Sequence, residues 1–223
     1  MVSYPRHVAV LTGDLVRSTD LAHPDMDRVM GVLADFASAN EHWIGHHFTR
    51  QSGDGWQMLV PQPEHALRSA LAIRARLRSE GKQLETYISI ATGRLDEAPP
   101  SNLNLSNQTV FRTSGKEIQI LKTRSEEDGV KIAHWDMGFA ASVAVLADHI
   151  SQRWTPPQAA AMLLFLNPHS DDISYTDAAS SLGKSRQAVT KSLDAAGKDA
   201  LLKALSFLEA SLRGLANEGD KSQ

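Results

Sequence analysis

Two carboxylates stand where apolar, strand-like segments give way to turns. Asp14 lies in Gly13-Asp14-Leu15-Val16-Arg17-Ser18-Thr19, directly after the apolar run Val8-Ala9-Val10-Leu11. Asp54 lies in Ser52-Gly53-Asp54-Gly55, between His47-Phe48-Thr49-Arg50-Gln51 and Trp56-Gln57-Met58-Leu59-Val60, a pattern that predicts a hairpin with Asp54 at its tip. Brought together, two such oxygen ligands suit a hard divalent cation and the handling of phosphate. The chain has no cysteine, so disulfides, iron-sulfur clusters and thiolate catalysis are excluded. Aspartate is also common at helix caps and in turns, and a cap-and-turn pair is the alternative reading of both positions. His42, His46 and His47 around Trp43 form a weaker metal candidate with no third ligand nearby, and Ser18 and Ser52 lack the partner that a nucleophile needs.

A second constellation lies between Tyr175 and Leu193, where the residues have the build of a helix-turn-helix. Ala179 lets two helices cross closely, Gly183 supplies the turn, Ser185 caps the second helix, and Val189 and Leu193 form its inner face. Arg186, Gln187, Thr190 and Lys191 are left on the outer face, and together with Thr176 and Ser185 they are the expected DNA contacts. Lys184, Arg186, Lys191 and Lys198 outnumber Asp177 and Asp194 between 174 and 198, in a chain whose net charge is -3. An ordinary helical hairpin serving a protein partner is the alternative. Leu201, Leu205, Leu208, Leu212 and Leu215 then alternate at four and three, the seam either of a short coiled-coil homodimer or of a helix packed on its own domain.

The elements that must position these residues follow from periodicity. His7–Leu11 reads as a strand, and Met26, Val29, Met30, Leu33, Phe36 and Ala37 as one face of a helix. The hairpin follows, then a helix over Ala66–Leu77 ending near Gly81, then a strand over Tyr87–Ala91 closing at Thr92-Gly93. The order β-α-β-β-α-β predicts an α+β fold, a ferredoxin-like sheet whose central first strand pairs with the third and so brings Asp14 beside Asp54. Val110–Lys122 is expected as a further helix beside the sheet. The polar run Arg124–Gly129 divides the chain into a ferredoxin-like domain over 1–128 and an all-α domain with the helix-turn-helix over 129–223. With 223 residues and 42% hydrophobic content, both can hold cores. No signal-like N-terminus and no membrane-length apolar stretch stand out, so a cytoplasmic protein with no membrane partner is expected.

Thr12–Thr19, Arg50–Gly55 and Ile88–Gly93 resemble the class III nucleotide cyclase fold. More closely they resemble the SatD family, whose cyclase-like domain carries a C-terminal helix-turn-helix. Gln108–Lys116 occupies the place of the family's helix after the last cyclase-like strand. The resemblance implies ligation of magnesium or manganese by Asp14, Asp54 and the Leu15 carbonyl. It also implies phosphate contacts from Val16, Arg17, Ser18 and Thr19 at the start of a helix beside Gly53, and a base-reading role for Arg50. It departs from the cyclases at Phe111 and Gly115, which stand where those enzymes place an asparagine and an arginine. Arg112 or Lys116 could substitute only from a shifted register. The sequence therefore points to a DNA-binding regulator whose cyclase-like domain senses a nucleotide, with a metal-dependent nucleotidyl cyclase or triphosphate-processing enzyme as the alternative.

Overall fold

The computed structural model describes residue 4 and residues 6–20, 22–44, 47–51, 53–135, 138–168 and 173–220, with backbone alone at 23, 44 and 215–220. Strand β1, Arg6–Leu15, is longer than its apolar run, and its inward and outward residues alternate between two cores. Ala9, Leu11 and Leu15 join one and Val8 and Val10 the other, which is the period-2 signature of a strand covered on both faces. Helix α1, His23–Ala39, begins with a proline in its first turn, and a short helix α2, Glu41–Ile44, leads to the hairpin of β2, Phe48–Arg50, and β3, Gly55–Val60. Helix α3, Ala66–Glu80, and strand β4, Thr86–Leu95, follow. The sheet order is β2-β3-β1-β4 with every pairing antiparallel, so β1 is central and Asp14 lies opposite Gly55.

Helix α4, Thr109–Asp128, covers the face of Val8, Val10 and Leu59 with Val110 and Phe111. Beyond it, where the sequence reads as wholly helical, the chain forms one more strand. Strand β5, Ile132–His134, pairs in parallel with β4, Ile88 opposite Ile132, so the residues just past the boundary expected at 128/129 are built into the sheet. Its first amides are held from outside the sheet. The Asp148 carboxylate accepts from the backbone N–H of Lys131 at 3.0 Å and of Ile132 at 3.1 Å.

The helices α5, Phe139–Ser151, α6, Pro156–Leu166, α7, Tyr175–Leu182, α8, Arg186–Ala195, and α9, Lys198–Asp220, complete the chain. They join the sheet through α5, which packs on β5, and through α3, twelve of whose fifteen residues are buried because the sheet covers one side and α5 and α6 the other. A helix buried all round normally carries only apolar residues, yet α3 carries Arg68, Arg74 and Arg78. Each is anchored to a different part of the chain. Arg68 forms a bidentate pair with Glu209 of α9, Arg74 meets Asp148 of α5 at 2.6 Å, and Arg78 pairs with Glu85 ahead of β4. The leucine seam of α9 is used in the same way: Leu201, Leu205 and Leu208 are buried in this chain's own core and Leu212 packs against it, while the Leu215 side chain lies outside the described residues. Among the described residues no helix is long and apolar enough to cross a membrane.

Candidate functional site

Asp14 is the penultimate residue of β1, on the face turned to α4, and not part of a following loop. The hairpin tip is fastened to the same strand end by the Leu15 N–H, which donates to the Asp54 carbonyl at 3.3 Å. The two carboxylates are close enough for the charge of Asp54 to act on Asp14. Two carboxylates brought together repel, and a cation between or beside them relieves that repulsion. Burial pushes the Asp14 carboxyl up, the hydrogen bond from Lys122 draws it down and the charge of Asp54 pushes it up again; the net direction is upward. Lys122 of α4 supplies the cation, its Nζ 2.9 Å from Asp14 Oδ1.

The positions around the pair explain its setting. Gly13 lies opposite Trp56, and a Cβ at Gly13 would fall inside the indole ring, so glycine lets that ring cross the strand. The Trp56 Nε1–H donates to Thr86 Oγ1 at 3.1 Å, and the Thr86 hydroxyl also contacts the Asp14 carbonyl at 3.0 Å. On the other side of the sheet from Trp56, two residues before Asp14 and on the same face as it, Thr12 meets Ser114 of α4 at 2.7 Å and accepts from the Gln57 amide at 3.1 Å. This buried polar row sets α4 against β1 in the register that brings Lys122 to Asp14. Sequence reasoning missed Lys122, and its signal was modest: Phe111, Ser114, Ile118 and Leu121 mark the buried face of α4, at whose edge Lys122 falls.

The segment after Leu15 differs from expectation. Val16-Arg17-Ser18-Thr19 does not open a helix: 16 and 17 form a turn, Ser18–Asp20 a single 3₁₀ turn, and α1 starts only at His23. Arg17 has φ of +54°, which breaks helical continuation, and the Val16 N–H already donates to the Glu85 carbonyl at 2.9 Å. Val16 and Arg17, but not Ser18 or Thr19, line a cavity of about 480 Å³ together with Asp20, Lys82, Glu85, Tyr87, Ser125 and Lys131. Glu85 pairs there with both Arg78 and Lys131, and burial, followed by the charge of Arg74, pushes the Lys131 ammonium down. Neither Asp14 nor Asp54 is on the cavity wall, but Leu15 and Ser125, one residue past Asp14 and one turn past Lys122, are.

Arg50 is engaged within the hairpin, its Nη1 2.6 Å from Asp27 of α1 and its Nε donating to the Gly53 carbonyl at 3.2 Å. Gly53 takes a left-handed φ of +81° in the turn. Phe111 is buried in the core under α4, a Cβ at Gly115 would meet open space, and Arg112 and Lys116 are exposed. Of the histidines, His42 is exposed, His47 half-buried, and His46 lies, like Ser52, outside the described residues. Among the described residues no group of three or more histidines, aspartates or glutamates gathers as for a metal ion. The donor chemistry of the Asp14/Asp54 pair, hard carboxylate oxygens of which Asp14 already pairs with the Lys122 ammonium, fits a divalent ion all the same.

In the C-terminal region, Ser174 caps α7 in a reciprocal arrangement with Asp177, Gly183 ends it at φ +60°, and Ser185 Oγ caps α8 by accepting from the Ala188 N–H at 3.2 Å. Val189 and Leu193 are buried, and Thr176, Ser185, Arg186, Gln187 and Lys191 are exposed. Thr190 is half-buried, and its hydroxyl donates to the Arg186 carbonyl at 3.0 Å.

No protein-family model matches this chain, and no curated protein matches it. Among solved structures, the catalytic core of a rhodopsin-guanylyl cyclase with converted specificity, in complex with ATPalphaS, aligns at a TM-score of 0.41 and 19% sequence identity, over 52% of this chain and 72% of that one.

Proposed function

We propose that this chain binds a nucleoside triphosphate with magnesium or manganese, on a ferredoxin-like, cyclase-like sheet. The observation that carries the reading is the juxtaposition of Asp14 with Asp54 at the end of β1, beside a cavity lined by Arg17, Lys82 and Lys131. Asp14, Asp54 and the Leu15 carbonyl would hold the metal, which when bound neutralises phosphate charge. Arg17 and Lys82 receive the phosphates, and Val16, Ser18, Thr19 and Gly53 shape the surrounding turn. Arg50, once released from Asp27, is the residue for a base. Turnover as a cyclase is slow in this reading. Phe111 and Gly115 offer no side-chain donor to developing charge, and the loss of one such donor typically costs about 100- to 1000-fold in rate. The test is incubation with each nucleoside triphosphate and manganese, beside an Asp54→Asn control, with binding and product both measured. Binding that requires Asp54, with or without slow product, supports the reading; binding and product equal in the control overturn it.

A second reading concerns α7 and α8. Two capped helices joined by left-handed Gly183 present Arg186, Gln187 and Lys191 outward, and this favours a helix-turn-helix that places α8 in a DNA major groove, with the chain acting as a homodimer. In a binding-site selection experiment at low salt, Arg186→Ala with Lys191→Ala abolishes the selected sequence. Absence of any DNA binding at low salt removes this reading and leaves the first intact.

A further inference from the structure

Helix α4 runs alongside β1 so that Ser114 meets Thr12 and, two turns on, Lys122 meets Asp14. Residues 12 and 14 are about 7 Å apart along a strand and residues 114 and 122 about 12 Å apart along a helix, and a lysine leaning toward its helix N-terminus covers the difference. Lys122 is thus placed by the packing of α4. Its side chain is 36% exposed while that of Asp14 is 17% exposed, so the ammonium can leave for solvent while the carboxylate stays.

We infer that Lys122 is the resident cation of the Asp14/Asp54 pair, and that a divalent ion enters this site only by displacing it. Lys122 is then the residue that sets the metal affinity. The inference rests on the reading of the pair as a metal site. An ammonium brings one charge and three donors, enough to satisfy one carboxylate, whereas a divalent ion satisfies both. Without metal the ammonium offsets the charge of Asp14, and metal must compete with a lysine tethered beside it by α4. Once released, the ammonium sits one helical turn from Ser125 on the cavity wall, where phosphates give it a second partner. Metal and triphosphate are expected to bind together more tightly than metal alone.

The experiment is manganese titration, followed by the paramagnetic resonance signal of the free ion, on the full chain and on Lys122→Met, Lys122→Gln, Asp54→Asn and Lys122→Met/Asp54→Asn. Lys122→Met and Lys122→Gln are expected to bind manganese roughly tenfold or more tightly than the unaltered chain, a gain abolished by Asp54→Asn. In chelator, Lys122→Met is expected to melt below the unaltered chain, and a further Asp14→Asn to restore the midpoint. Equal manganese affinity in the Lys122 variants and the unaltered chain overturns the inference and leaves the metal reading standing. No uptake by any of them overturns both.

Discussion

Substituting Gly13 by alanine tests how β1 presents Asp14. The new Cβ would lie 2.5 Å from Trp56 Nε1 and nearer still to ring carbons, and Trp56 is wholly buried, so the indole must move within a packed core. Overpacking of this kind costs about 1 to 3 kcal/mol. Moving the ring also breaks the bond from Trp56 Nε1 to Thr86 Oγ1 and leaves a buried donor unpaired, which adds about 1 to 3 kcal/mol. Together the expected loss is about 2 to 6 kcal/mol, against a total stability of about 5 to 15 kcal/mol for a domain. Urea unfolding followed by far-ultraviolet circular dichroism reads it as a lower midpoint at an unchanged slope. In a Trp56→Leu background, where the ring is gone, the same substitution should cost less than about 1 kcal/mol. A Gly13→Ala variant within about 0.5 kcal/mol of the unaltered chain, or one equally damaging in both backgrounds, refutes the steric argument.

Arg74→Met should cost about 3 to 5 kcal/mol in chemical denaturation, because it leaves the buried Asp148 carboxylate without its guanidinium partner; a loss under about 1 kcal/mol contradicts the assignment. The Asp14 carboxyl is raised in the fold, so stability falls as pH rises from its unfolded value of about 3.9 through the folded one. Asp14→Asn should therefore melt higher than the unaltered chain at neutral pH in chelator and lose that advantage below about pH 4, and a lower midpoint at neutral pH would be the opposite result. For Glu209, burial pushes the carboxyl up, but hydrogen bonds and charge from His65 and Arg68 prevail and hold it below the usual glutamate range. Its contribution is present above about pH 4.3 and is lost as pH falls through the lower folded value, so the deficit of Glu209→Gln should be full at neutral pH and shrink in acid.

Much of the sheet was legible because its elements are long and periodic. The apolar runs at Val8–Leu11 and Tyr87–Ala91, the glycines around Asp54 and the amphipathic spacing from Met26 to Ala37 each suffice locally, and the order of elements then places Asp14 by Asp54. Strand β5 was not legible, because Ile132-Ala133-His134 is too short for alternation and its pairing depends on Asp148 capping its amides from another helix. Helix α3 reads as amphipathic because its arginines look like a solvent face, whereas Arg68, Arg74 and Arg78 are buried against carboxylates outside the helix and only Arg76 pairs within it, with Glu80. The turn after Leu15 defeated the expectation of a helix start, since a non-glycine residue at positive φ carries no clear sequence mark. Lys122 was hidden for a related reason: its role depends on the register of α4 against β1, which the buried contacts of Thr12, Gln57 and Ser114 set.

The most direct test of the central claim is anomalous diffraction from crystals of the full chain grown with manganese and a non-hydrolysable nucleoside triphosphate analogue. A manganese peak is expected between the carboxylates of Asp14 and Asp54, with Lys122 displaced from Asp14 and phosphates in the cavity beside Arg17 and Lys82. Manganese and triphosphate bound away from both aspartates, with the Lys122 ion pair intact, would contradict it.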